Sequence, residues 1–228
     1  MFGLLSPQHS AGRPYGLQFS TDDGIVVVEA EKGSVVTAYG SRKKQARREG
    51  HMTTIEYLQT PETVLPRELA FGVLRVAEAP RASHQRVVLE LVLALAPFVR
   101  ERQLGEVLPA PIDVILDVDA ALVVQPDLVF VSKDQKGIVG DQIVGPPAMV
   151  VEVLSPHPRI GQLEERIGWF ARYGVRECWL ADLTQRKIAV LSLSREGLRG
   201  RAVFSDREPV RSRVLGDLDL TPRQIFGF

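Results

Sequence analysis

A chain of 228 residues, 45% hydrophobic and 25% charged, can bury one core of ordinary size and leaves room for little more than one domain with an appendage. Its 28 basic and 28 acidic residues cancel, and beyond residues 1–51 the balance is 21 basic to 23 acidic, which excludes bulk attraction to a phosphate backbone. Any nucleic-acid contact must come from a local basic patch. The single cysteine, Cys178, excludes an intrachain disulfide and a thiolate zinc site, and its setting in Glu-Cys-Trp-Leu-Ala reads as a buried, inert strand residue.

The first fifty residues stand apart. Ile25–Ala30 and Ser34–Tyr39 read as two short strands, followed by the basic run Ser41-Arg-Lys-Lys-Gln-Ala-Arg-Arg-Glu-Gly50, a solvated linker or a nucleic-acid arm. Arg48-Glu-Gly-His-Met52 can be encoded by a purine-rich stretch just ahead of an ATG, the pattern of a bacterial ribosome-binding site. The expectation is a domain over residues 52–228, with residues 1–51 an extension outside the native protein. Tryptic peptides from residues 14–40 in the native protein would contradict this.

From Met52 the pattern is denser. Thr53-Thr-Ile-Glu56 is a capping box that predicts a short helix over Ile55–Gln59, closed by Pro61. Leu69–Val76 predicts a strand or hairpin around Gly72. Ser83 is the expected cap of a helix with Val87, Leu91, Leu95, Phe98 and Val99 on its apolar side, and Gly105 its expected end. Within it, Val87–Val99 is interrupted by Glu90 and Pro97 and is too short to cross a bilayer. The first residues lack the basic start and apolar segment of a secretion signal, so a cytoplasmic location without membrane contact is expected. Strands follow at Glu106–Pro109, Ile112–Leu116, Val123–Val131 and Ala148–Leu154. Gln162–Tyr173 predicts a helix stopped by Gly174, then come strands at Glu177–Asp182, Lys187–Ser192 and near Val203, and a terminal turn at Thr221–Phe228. This order argues for an α/β domain with a central mixed sheet flanked by helices.

Two of these strands carry acids in apolar surroundings: Asp127 in Val-Val-Gln-Pro-Asp-Leu-Val-Phe-Val, and Glu152 in Met-Val-Val-Glu-Val-Leu. Strands so uniformly apolar are buried on both faces, where a carboxylate is costly unless it is paired, hydrogen-bonded or bound to a cation. Two such acids on strands separated by one loop suggest a shared cation, and oxygen ligands alone favour Mg²⁺ or Mn²⁺. Each acid alone also fits a strand edge or turn facing solvent, and both readings stand at this point. Asp113 and Asp117 share a strand face; Asp113 is a candidate supporting acid, while Asp117 and Asp119 read as a half-exposed face. His84, in a helix first turn, reads as a capping or packing residue or as the edge of a site. His157, between two prolines just past Glu152, reads as a loop residue or part of the pocket lining.

Several segments together resemble the Uma-two family of restriction-endonuclease-like proteins, within the PD-(D/E)xK nuclease superfamily. They are Met52-Thr-Thr-Ile-Glu-Tyr-Leu, Ala82-Ser-His-Gln-Arg-Val-Val, Val124-Gln-Pro-Asp-Leu-Val-Phe-Val, Val150-Val-Glu-Val-Leu-Ser-Pro and Ala171-Arg-Tyr-Gly-Val-Arg-Glu-Cys-Trp-Leu-Ala-Asp. The likeness spans roughly residues 52–194 and leaves residues 1–51 uncovered. It implies a restriction-endonuclease-like fold and metal-assisted hydrolysis of DNA phosphodiesters. Asp127 and Glu152 would be metal-binding acids, and the carbonyl of Val153 a third ligand. It also puts His84 at a site edge and matches Glu68 to a family acid near Gly72.

The chain departs from the family at the site. Leu154 stands where the motif has lysine. The family's compensating lysine, on the following helix, aligns with Arg166, and the acid four residues earlier with Gln162. Two further acids near Gly72 are absent. Arginine keeps the positive charge but cannot give up a proton. Two readings remain open: a Mg²⁺-dependent endonuclease with Arg166 in the lysine's place supported by Gln162, or a catalytically impaired nuclease fold acting as a binding or assembly module. A homodimer is the expected assembly, since cutting a duplex needs two sites.

Overall fold

The computed structural model describes residues 50–61, 65–154 and 163–227, together with the backbone of three strands within residues 18–40. The chain divides into two compact units, Met1–Gly50 and His51–Phe228. In the first, β1 (Gln18–Ser20), β2 (Ile25–Glu29) and β3 (Val35–Gly40) form an antiparallel sheet in that order. Residues 41–49 of the basic run lie outside the described residues.

The second unit opens with α1 (Thr54–Leu58). The Thr53 hydroxyl accepts the Glu56 N–H at 3.2 Å, and the Glu56 carboxylate accepts the Thr53 N–H at 2.8 Å, which is the capping box read from the sequence. β4 (Arg67–Ala70) and β5 (Val73–Val76) form a hairpin turning on Phe71 and Gly72, both at positive φ (51° and 86°), as a tight two-residue turn demands.

The next element, α2 (Ala82–Glu101), corrects two expectations. Arg81 holds the N-cap position and makes no side-chain bond to the helix, so Ser83 lies inside the first turn. At the other end the turn out of the helix is made by Gln103, at φ 53°, and Gly105 already opens β6 (Gly105–Pro109). Glycine is needed there for another reason: at φ 149°, a Cβ would lie 2.0 Å from the carbonyl oxygen of Val131 on the neighbouring strand. By length and composition α2 could cross a membrane, since the whole helix is longer than its apolar stretch Val87–Val99. Here its Val87, Leu91, Leu95 and Val99 are buried against a sheet.

β7 (Val114–Asp117), β8 (Leu122–Val124) and β9 (Leu128–Ser132) follow. The single strand expected over Val123–Val131 is therefore two. Pro126 has no amide to donate to a ladder, and the chain changes sheets around it. A 3₁₀ helix (Lys133–Ile138) and a two-residue strand, β10 (Ile143–Val144), have no clear signal in the sequence. Then come β11 (Met149–Leu154), α3 (Leu163–Tyr173), β12 (Glu177–Asp182), β13 (Lys187–Ser194), β14 (Gly197–Ser205) and α4 (Pro222–Phe226).

These strands build two mixed sheets, β10-β7-β8-β4-β5 and β14-β13-β12-β11-β9-β6. The six-stranded sheet is central. One alternating set of its side chains, including Leu128, Phe130, Met149, Val151 and Trp179, meets α2 and α4. The intervening set, including Val129, Val131, Val150, Cys178 and Leu180, meets α3 and strands of the second sheet. Burial on both faces is why β9, β11 and β12 are almost wholly apolar.

Candidate active site

The site begins with a register. In the antiparallel pair β9–β11, Phe130 faces Met149, Val129 faces Val150 and Leu128 faces Val151. The ladder ends at that pair, and Asp127 and Glu152 each lie one residue beyond it. Alternation puts Glu152 on the α3 side with Val150, while Asp127 is met by the first turn of α2. The kink at Pro126 releases Asp127 from the ladder as β9 begins. Its Oδ2 accepts the Val153 N–H at 2.7 Å, and its Oδ1 lies 3.2 Å from Nε2 of His84, in the first turn of α2. The Nδ1 atom of His84 is buried without a partner.

Glu152 is held from α3. Its Oε1 accepts two N–H groups of Arg166, from Nε at 3.1 Å and from Nη2 at 2.7 Å, while Nη1 of the same guanidinium donates to Glu68 Oε2 at 2.5 Å. Arg166 is 6% exposed and Glu68 1% exposed, so the guanidinium lies inside the fold. Beyond Glu68 the contacts continue. Its other oxygen accepts the Gln125 N–H at 2.6 Å, and the Gln125 side-chain amide donates to Asp113 Oδ1 at 2.9 Å. Asp113 Oδ1 also accepts the Tyr57 hydroxyl at 2.8 Å. A continuous polar chain thus runs from α1 through the β4–β5 hairpin and the Pro126 kink to α3 and β11.

Burial dominates the electrostatics of Glu152. It raises the carboxyl above its ordinary range, Arg166 pulls it partly back, and Asp127 and Glu68 push it up again, to about 7. For Arg166 burial works against the charged form, but Glu152 and Glu68 outweigh it and keep the guanidinium protonated. Burial and then the Asp113 carboxylate raise the Tyr57 phenol above its usual range, so Tyr57 remains a donor. Burial also lifts the Cys178 thiol, as suits an inert core residue.

Several expected site residues therefore meet: Asp127 with Val153 and His84, and Glu152 with Arg166 and, through it, Glu68. Asp113 joins them through Gln125. Val153 contributes its N–H, to Asp127. Asp117 belongs to a separate turn, accepting the Ala120 N–H at 2.9 Å. Gln162 and His157 lie outside the described residues. Sequence reasoning misses Gln125 and Tyr57. The signal for Gln125 is its place just before Pro126, where the ladder breaks; Tyr57 has none beyond its position in α1.

Among the described residues, no group of three or more His, Cys, Asp or Glu side chains gathers as a metal cluster. A hard cation such as Mg²⁺ asks less of a protein, because it keeps several waters and takes one or two carboxylates. Asp127 and Glu152, at one end of the β9–β11 ladder, fit that demand in donor type. Arg166 on Glu152 and the Val153 N–H on Asp127 are the groups a cation would compete with.

A solved structure titled "a putative nuclease belonging to DUF820 from Anabaena variabilis ATCC 29413" superposes with a TM-score of 0.64 at 17% identity, covering 77% of this chain and 98% of that one. At this identity the likeness is one of fold, and the class it defines is the restriction-endonuclease-like α/β fold. The sequence model of the Uma2 family, described as "Putative restriction endonuclease", matches residues 55–223, and the chain belongs to that family. The match lies wholly within the second unit. Curated protein sequences give no match.

Proposed function

We propose that this chain is a metal-dependent endonuclease that hydrolyses phosphodiester bonds of DNA, with Mg²⁺ or Mn²⁺ held by Asp127, Glu152 and the Val153 carbonyl. The observation that carries this reading is the end of the β9–β11 ladder, where both acids lie one residue beyond the last pair and a buried arginine holds Glu152. When bound, the cation would supply charge to a phosphate oxygen and lower the pKa of a water. Asp127 is oriented for that task by Val153 and His84. Glu152 must lose its proton and share its Oε1 with Arg166. Arg166 supplies positive charge for the phosphate and stays protonated throughout, so it orients the attacking water without deprotonating it. A two-fold dimer with one centre per strand belongs to this reading.

The three N–H bonds from Arg166 to Glu152 and Glu68 favour a second reading, in which the guanidinium occupies the acids and the fold serves as a binding module. Nicking of supercoiled plasmid in Mg²⁺ and in Mn²⁺ separates the two. The nuclease reading expects cleavage by the wild type and none by Asp127→Ala. Intact plasmid with a folded wild type would support the binding module.

A further inference from the structure

The body of the chain is slightly acidic, yet one end of the central sheet is cationic. Three stretches meet there: Ser132–Gly137, Arg172–Arg176 and Arg195–Arg201. Together they hold seven cations, Lys133, Lys136, Arg172, Arg176, Arg195, Arg199 and Arg201, against two acids, Asp134 and Glu196. All seven cations are exposed.

The backbone and small polar contacts stitch these stretches together. Arg176 Nη2 donates to the Ser132 hydroxyl at 3.3 Å, and the Arg176 carbonyl accepts the Leu193 N–H at 2.9 Å. Gln135 donates to the Pro146 carbonyl at 3.0 Å. A Cβ at Gly174 would sit 3.8 Å from Pro146 and 3.7 Å from Nε of Arg195. Arg201 faces Leu191 across β13–β14, and Leu191 belongs to the face that meets α3, so Arg201 turns to the α3 side. The two acids are already engaged: Asp134 with Ser132 and the nearby Arg176 charge, Glu196 in an ion pair with Arg199. The C-terminal end of α3 would attract Arg172 by itself, but Arg195 and Arg201 belong to a strand turn and a strand, where no helix end calls for charge.

This surface is separate from the acid pair. Asp127 precedes β9 and Ser132 ends it, a span of roughly 17 Å at about 3.3 Å per residue. A duplex carries one negative charge per about 1.7 Å of axis, so an exposed cationic surface of this size faces several phosphates at once.

We propose that this surface, at the Ser132–Arg176–Arg195 end of the sheet, holds the sugar-phosphate backbone of a nucleic-acid duplex, apart from the carboxylate centre. The inference rests on the nuclease reading for its biological sense, and on charge and geometry for its content. Backbone contact of this kind is independent of sequence and of metal, and weakens steeply with salt.

The test uses the full chain, a fluorescent 20-base-pair DNA duplex as the probe, and EDTA to remove divalent cations. The variant is Lys136→Glu/Arg195→Glu/Arg201→Glu, at three exposed positions. The wild type is expected to bind, with affinity falling as salt rises. The variant should bind at least tenfold more weakly, with a salt slope shallower by about 0.9 for each phosphate it no longer neutralises and an unchanged melting temperature. No duplex binding by the wild type, or equal binding by the folded variant, overturns the inference. Plasmid cleavage in Mg²⁺ is measured alongside. Patch-dependent binding without cleavage by the wild type overturns the nuclease reading alone, and cleavage without patch-dependent binding overturns this inference alone.

Discussion

At the scale of single residues, Arg166 decides the most. Its guanidinium bridges Glu68 and Glu152, and it stands where the family resemblance puts lysine. Arg166→Lys replaces a permanently charged fork with an ammonium that can exchange a proton. Under the nuclease reading the substitution should raise plasmid cleavage in Mg²⁺ by roughly tenfold or more, part of the ~10²-fold or more that a well-placed proton transfer contributes. Glu152 makes a second prediction. Its folded-state pKa, about 7, lies above the ordinary 4.5, so the fold favours the protonated acid. Its contribution to stability therefore declines as pH rises from about 4.5 through about 7, and is level above that. A cation needs the ionised form, so proton and metal compete. Mn²⁺ affinity should weaken about tenfold per pH unit below 7, and calorimetry at pH 6 and pH 8 reads the difference directly.

At the scale of elements, β6 and β9 approach closely because Gly105 has no side chain. Gly105→Ala puts a methyl into the Val131 carbonyl at a backbone angle that side chains rarely adopt, and should cost at least about 2–3 kcal/mol, seen as a lower denaturation midpoint with an unchanged slope. Elements with local chemistry are legible in the sequence. Thr53 and Glu56 announce α1, the apolar spacing of Val87 to Val99 announces α2, and the apolar run Cys178–Ala181 announces β12. The place of Asp127 and Glu152 at one end of the β9–β11 ladder is legible only as a suspicion, because register across a sheet is a long-range property. What the sequence hides has physical reasons. Gly105 reads as a helix stop because a glycine needed for close approach and one needed for a left-handed turn look alike. The strand break at Pro126 is hidden by apolar residues on both sides, which are buried in two different sheets. The burial of Arg166 is hidden as well, since it depends on Glu68 arriving from the distant β4–β5 hairpin.

At the scale of the whole molecule, the division at Gly50 and the family match over residues 55–223 coincide in placing the site, its polar chain and both mixed sheets in the second unit. Among the described residues, the three hydrophobic clusters are built from that unit. The isolated segment 51–228 should therefore fold by itself, with a cooperative thermal transition by circular dichroism and the same Mn²⁺ affinity as the full chain. A non-cooperative transition would show that residues 1–50 complete the fold.

The proposed function turns on Asp127 and Glu152 sharing one cation. Titration calorimetry of the full chain with Mn²⁺ and Mg²⁺ at pH 8, beside Asp127→Ala, tests it most directly. Saturable binding to the wild type is expected, and it should disappear in the variant while the circular dichroism spectrum stays unchanged. A folded wild type that takes up neither ion, or a variant that binds as well as the wild type, would contradict it.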